Sequence, residues 1–210
     1  MKRFLTDKLI EWKNSKYRKP LILRGARQVG KTYILKDFAN NYYSDMAYFN
    51  FDHDSNLADL FKNTKDPKRI IEQLSFVIGR KIEPTKTLII FDEVQECPDA
   101  LNSLKYFAEE TPEYHIVAAG SLLGIKLSHT SFPVGKVDYL TLYPMTFSEF
   151  LIADGRENLV EYMKSIKEIQ EIPKIFDEQL VEQLKKYYII GGMPEVVNSW
   201  VNDKDIERVN

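Results

Sequence analysis

The sequence predicts an α/β fold, a parallel sheet covered by helices on both faces. Three observations predict it. Short apolar segments alternate with helical ones along most of the chain. The segments PLILR (20–24), TLIIFDE (87–93) and YHIVAAGS (114–121) are near-continuous runs of Leu, Ile, Val, Phe and Ala, as strands buried on both faces are. The first of them runs into GARQVGKT (25–32), a glycine-punctuated loop that opens a helix. At 210 residues, 44% of them hydrophobic, the chain is long enough to bury a core without disulfides or structural metal.

The elements follow in order. Residues 3–14 have Phe4, Leu5, Leu9, Ile10 and Trp12 spaced for one broad helical face. A polar break from Tyr17 precedes strand 20–24, and the loop follows. Segment 32–43 has helical spacing at Ile34, Leu35, Phe38 and Tyr42, and MAYFNFD (46–52) reads as a strand. Residues 55–82 are mostly helical with a break at Pro67. Strand 87–93 ends in two acids. Pro98 suits a first helical turn, so a helix is expected through 100–109. Strands 114–121 and 136–143 complete five. TFSE (146–149) is a capping box, with Thr146 as cap and Glu149 three residues on. From there the pattern is helical; Gly191-Gly192 closes a helix over 176–190, and a last helix is expected to run to residue 210. The expected organisation is a core of residues 1–145 and a helical lid, or the start of a further region, in 146–210.

Composition excludes several classes. A single cysteine, Cys97, allows no internal disulfide and suits a reducing, cytoplasmic compartment; Cys97 itself is expected to be a small buried residue. His53, His115 and His129 are scattered and form no metal-ligand pattern. No apolar run approaches the ~18 residues of a membrane span, and the charged N-terminus lacks a signal-peptide core. The net charge is −2, but residues 1–36 hold eleven Lys/Arg against Asp7 and Glu11. That surplus surrounds the glycine loop and is read as a positive field for a polyphosphate; a nucleic-acid surface is the second reading.

The chemistry starts at the loop. A polyphosphate is held best by several backbone N–H groups converging on its oxygens, and glycines permit the dihedrals and the close approach. The loop must open into a helix whose positive end faces the anion. Gly25, Ala26, Arg27, Gln28, Val29, Gly30, Lys31, Thr32 and Tyr33 form this candidate phosphate site, a P-loop. Lys31 is expected to reach the outer phosphates and the Thr32 hydroxyl to ligate Mg²⁺. Asp92, at the end of an apolar strand, is the second candidate in the Mg²⁺ shell, and Glu93 directly after it is placed to polarise a water. Ser121, at the end of the strand expected between these two, is a candidate contact to the terminal phosphate or the water.

LRGARQVGKTYIL, LIIFDEVQECPDALNSLKYF, IVAAGSLLG, FPVGKV, LYPMTFSEFL and YYIIGGMPEVV together resemble the AAA+-like ATPases of the AAA-14 type. The resemblance implies an ASCE P-loop NTPase sheet in the order 5-1-4-3-2, ATP as the nucleotide, and a following C-terminal domain of unknown function (DUF4143). It therefore implies that this chain is a fragment lacking that domain, its unknown partner being that domain or another protein. Many such proteins have an arginine where this chain has Lys136. Arg27, Arg80 and Arg156 are then the candidates for a catalytic arginine. Rings are common among AAA+-like proteins, so an oligomer is a further expectation.

The remaining motifs are read as structural. The aromatic run 48–52 is expected in the sheet core, with Asn50 or Asp52 bordering the site, and Tyr187-Tyr188 in packing. The function expected is Mg²⁺-dependent ATP hydrolysis that drives or gates a conformational change. The alternatives are a nucleotide-dependent switch with negligible hydrolysis, and a nucleic-acid-stimulated ATPase.

Overall fold

A computed structural model describes residues 1–54, 56–121, 135–169 and 171–204. The chain divides into two compact units: Leu5–Leu142, and Met1–Phe4 together with Tyr143–Asn210.

The first unit holds α1 (Leu5–Asn14), β1 (Leu21–Arg24), α2 (Lys31–Tyr42), β2 (Asp45–Asn50), α3 (Leu57–Asn63), α4 (Pro67–Val77), β3 (Thr87–Asp92), a single 3₁₀ turn (Val94–Glu96), α5 (Pro98–Glu110), β4 (His115–Gly120) and β5 (Asp138–Thr141). All five strands are parallel, in the order β2-β3-β4-β1-β5, the order implied by the family resemblance.

Period-two alternation divides the strand residues between two buried faces. Ile22, Phe49, Ile89, Phe91, Ile116 and Ala118 join one core cluster with Phe61, Ile70, Leu74, Leu104 and Phe107 of α3, α4 and α5. Phe91 is its hub, in edge-on or tilted contact with Phe49, Phe51, Phe61 and Phe107. The intervening residues Leu21, Leu23, Leu88, Ile90, Val117 and Ala119 are equally buried. α2, with Ile34, Leu35 and Phe38 inward, packs on β2, β3 and β4. Burial of both faces is what the apolar runs demand.

Element ends differ from expectation for local reasons. β2 stops at Asn50, because the Asn50 Oδ1 accepts from the N–H groups of Asp52 and His53 and turns the chain. The 55–82 segment is two helices. Asp66 caps the second by accepting from Lys68 N at 2.9 Å, with Pro67 in the first turn. β3 ends at Asp92, one residue early, because Glu93 adopts a left-handed conformation.

The second unit holds α6 (Phe147–Ala153), α7 (Glu157–Ser165), α8 (Lys174–Ile190) and α9 (Pro194–Asp203). The Thr146/Glu149 capping box forms with both hydrogen bonds. Residues 3 and 4 do not continue α1. Arg3 Nε and Phe4 N donate to Glu149 Oε1 at 3.1 and 2.8 Å, so the N-terminus anchors α6. Arg3 and Glu149 are both buried, and an ion pair in such a place costs several kcal/mol when one partner is removed. Tyr187 packs on Phe147 and Phe150, while Tyr188 is exposed. The last helix does not continue as the pattern suggested. It ends at Asp203, with Lys204 left-handed; residues 205–210 lie outside the described residues, as do His129 and the Leu122–Gly124 and Phe132–Val134 parts of the motifs. Among the described residues, no helix is long and apolar enough to cross a membrane.

Candidate functional site

Parallel strands bring all their C-terminal ends to one edge. The register pairs Arg24 with Gly120 and with Thr141, and Asn50 with Asp92. The loop after β1, the acids after β3 and Ser121 after β4 therefore meet there.

The loop from Gly25 to Gly30 has two conformational demands. A Cβ on Gly25 would lie 2.3 Å from the Leu142 carbonyl oxygen, so only glycine fits beside the end of β5. Gly30, the N-cap of α2, sits at φ 91°, a left-handed position that favours glycine. Gln28 is also left-handed (φ 66°), and Val29 is fully buried, pinning the loop from below. The helix then starts at Lys31, so the first-turn amides of α2 are without intrahelical acceptors at the end of the loop.

Lys31 is 6% exposed. Its Nζ donates to the carbonyl oxygens of Gly25 (3.0 Å) and Ala26 (2.8 Å), folding the ammonium over the loop's own backbone. Burial pushes its pKa down, against the opposing pull of the Glu93 and Asp92 carboxylates. Neutral carbonyls are weaker acceptors for an ammonium than an anionic oxygen, so this contact is replaceable by a phosphate.

Asp92 is 2% exposed and fully engaged. Its Oδ2 accepts from Thr32 Oγ1 at 2.7 Å and Tyr48 OH at 2.8 Å, and its Oδ1 from Glu93 N at 3.0 Å. Thr32 and Asp92 offer adjacent oxygen donors, the ligand type a hard divalent cation such as Mg²⁺ takes, so the residues fit that ion. Glu93 is partly exposed and left-handed (φ 51°, ψ 41°), a conformation costing a non-glycine residue ~1 kcal/mol. Its Oε2 accepts from the amide of Gln95 and, at 3.4 Å, from Ser121 Oγ. A cleft of about 440 Å³ opens beside these groups, lined by Ala26, Arg27, Asp52, Glu93, Gln95, Glu96 and Ser121.

Of the sequence-predicted residues, Lys31, Thr32, Asp92, Glu93 and Ser121 come together at this edge, and exposed Arg27 and Asp52 line the cleft. Asn50 borders the site only indirectly, donating to Tyr48 OH at 3.3 Å. Arg80 lies at the opposite edge, bound to Asp45 and to the Met46 carbonyl; Arg156 belongs to the other unit, and Lys136 pairs with Glu109. Two participants escaped the sequence reading. Tyr48 belongs to the aromatic run expected in the sheet core, yet its ring is half-buried and its hydroxyl reaches Asp92; burial is the main reason its pKa rises to about 12. Gln95 holds Glu93, and its Oε1 is buried without a partner. A polar residue in the middle of a 3₁₀ turn carries no sequence signal, but a tyrosine two residues before the end of a strand adjoining the acid strand could have been suspected once the sheet order was known.

A parallel sheet with this strand order, a glycine loop after an interior strand and an acid pair closing another, defines a P-loop NTPase fold of the ASCE kind. The model of a family described as an AAA domain, AAA_14, matches residues 17–151, and the chain belongs to that family. No curated protein matches significantly in sequence. Among solved structures, similar chains include a signal transduction ATPase with numerous domains (STAND) from Pyrococcus horikoshii that carries a tetratricopeptide repeat sensor (16% identity, TM-score 0.50, covering 100% of this chain and 32% of that one). PCH-2 of C. elegans (13%, TM-score 0.48) and AMPPCP-bound DnaA from Aquifex aeolicus (14%, TM-score 0.49) each cover 97% of this chain and 62% of their own. The chain thus spans less than two thirds of each of these proteins. At such identities the likeness is one of fold.

Proposed function

We propose that this chain binds ATP together with Mg²⁺ at the loop edge of the sheet and hydrolyses it, using the cycle to drive or gate a conformational change. The observation that carries the reading is the contact of Thr32 Oγ1 with Asp92 Oδ2 at 2.7 Å, which joins the first turn of the loop's helix to the end of the acid strand. ATP as the nucleotide rests on family membership.

The roles follow from position. Backbone amides from Ala26 to Tyr33 cradle the phosphates. Lys31 exchanges its two carbonyl acceptors for phosphate oxygens. Thr32 and Asp92 hold Mg²⁺, which when bound supplies charge neutralisation on the transferring phosphoryl group. Glu93 takes up the proton of the attacking water, and Ser121, hydrogen-bonded to Glu93, orients that carboxylate.

A second reading, a nucleotide-dependent switch with slow hydrolysis, is favoured by one feature. Among the described residues lining the cleft, Arg27 is the sole arginine, and P-loop proteins without a supplied arginine turn over slowly. The test is titration of the chain with a fluorescent ATP analogue, followed by steady-state phosphate release with Mg²⁺-ATP. Saturable binding with measurable release supports the enzyme, and binding with release at the buffer rate supports the switch. Absence of saturable binding at millimolar nucleotide rejects both.

A further inference from the structure

We infer that Tyr48 is a positioning residue for the metal side of the site: its hydroxyl fixes the Asp92 carboxylate so that Asp92 meets Mg²⁺ already oriented. This rests on the proposed nucleotide site and deepens it.

The two hydroxyl donors on Asp92 Oδ2 are not equivalent. Thr32 belongs to the candidate metal shell, so its oxygen has a second task. Tyr48 sits on β2, outside that shell, and its phenol has one proton to give, which goes to Asp92 at 2.8 Å. The ring is held from two sides. Lys36 Nζ lies 3.9 Å from its centroid, a cation–π contact from α2, one helical turn beyond Thr32. Asn50 Nδ2 donates to the phenol oxygen at 3.3 Å, which uses its acceptor side and leaves its proton for Asp92. Register explains the reach. Tyr48 pairs with Ile90 and Asn50 with Asp92, so the phenol leans two residues along the strand to the carboxylate on the neighbouring one. Tyr48 therefore ties the helix that begins with Lys31 and Thr32 to the strand that ends in Asp92. Groups that orient a metal's carboxylate ligand from outside the shell act on metal affinity without touching the metal.

The experiment measures affinity for a fluorescent, non-hydrolysable ATP analogue, once with Mg²⁺ and once with excess EDTA, for the wild type, Tyr48→Phe, Asp92→Asn and the double variant. Thermal melting verifies that each is folded. Tyr48→Phe keeps the ring, the Lys36 contact and the packing. The expected result is a loss of about tenfold in the Mg²⁺-dependent gain of affinity, with the EDTA affinity unchanged. Asp92→Asn is expected to remove the gain, and adding Tyr48→Phe to it to change nothing further. An equal drop with and without Mg²⁺, no drop at all, or an additive effect in the double variant overturns the assignment while leaving nucleotide binding intact. Failure of the wild type to bind the analogue in either buffer would instead remove the nucleotide site itself, and the inference with it.

Discussion

The same strands begin and end among charged and polar side chains, but the two edges use them differently. At the N-terminal edge Asp45 of β2 is bound by Arg80 Nε and Nη2, and Thr87 Oγ1 leans on the same carboxylate. His115, at the start of β4, is 4% exposed and shares a 2.7 Å hydrogen bond with Tyr43 OH, edge-on to Trp12. These partners lie on α1 (Trp12), just after α2 (Tyr43), between α4 and β3 (Arg80) and at the start of β3 (Thr87), and a second cleft of about 540 Å³, lined by Arg80, Ile71, Phe76, Ile82 and Tyr114 among others, holds none of the loop or acid-strand residues. At the C-terminal edge the acids Asp92 and Glu93 stand beside Lys31, and Gln28 and Glu93 have left-handed backbones. Cleft size therefore does not identify the site; the smaller cleft has the chemistry. What the difference teaches is that charge at the first edge closes the fold, whereas at the second Lys31 and Glu93 are kept with neutral, replaceable partners, at a cost in backbone strain at Glu93.

The largest test of this contrast is Glu93→Gln. Turnover should fall by about 10²–10³-fold while nucleotide affinity changes little, because only the proton acceptor is lost. Comparing phosphate release with analogue binding reads both, and unchanged turnover would remove Glu93 from the chemistry. Lys31→Ala should weaken analogue binding by about 100-fold or more, a charge-assisted contact to the phosphates being lost. Affinity within threefold of wild type would mean that the ammonium never leaves its two carbonyls. Gly25→Ala drives a methyl into the Leu142 carbonyl and should cost about 2–4 kcal/mol of stability, read by denaturant melts.

The closing edge predicts smaller, pH-dependent effects. Burial, followed by the charges of Arg18 and Lys13, pushes the His115 pKa down to about 4 from an ordinary value near 6.5. The folded imidazole is thus neutral where the unfolded one charges. The unfolded chain binds more protons between these values, so the stability linked to His115 is complete above pH 6.5 and is lost as pH falls toward 4, by on the order of 3 kcal/mol. Melts of wild type and His115→Gln over that range should differ in slope; parallel curves would sever the link. Arg80→Ala breaks a half-exposed pair and should cost under about 1 kcal/mol, with nucleotide binding untouched. A larger loss of binding would show that the two edges communicate.

Much of this is legible in the sequence. GARQVGKT between an apolar strand and a helix, the two acids closing TLIIFDE, and the Thr146/Glu149 capping box are local signals, since each depends on a few consecutive residues and on backbone chemistry that travels with them. Apolar runs likewise determined that the sheet would be covered on both faces. Tertiary structure alone decided what depends on neighbours distant in the chain. Asp92 meets Thr32 and Tyr48 because parallel strands gather their C-terminal ends at one edge, and β2 lies beside β3. Arg3 leaves the first helix because Glu149, 146 residues away, offers a buried carboxylate. The physical reason is common to these cases: hydrogen bonds and burial between remote segments outweigh the local preference of either one, and a periodic pattern records only the latter.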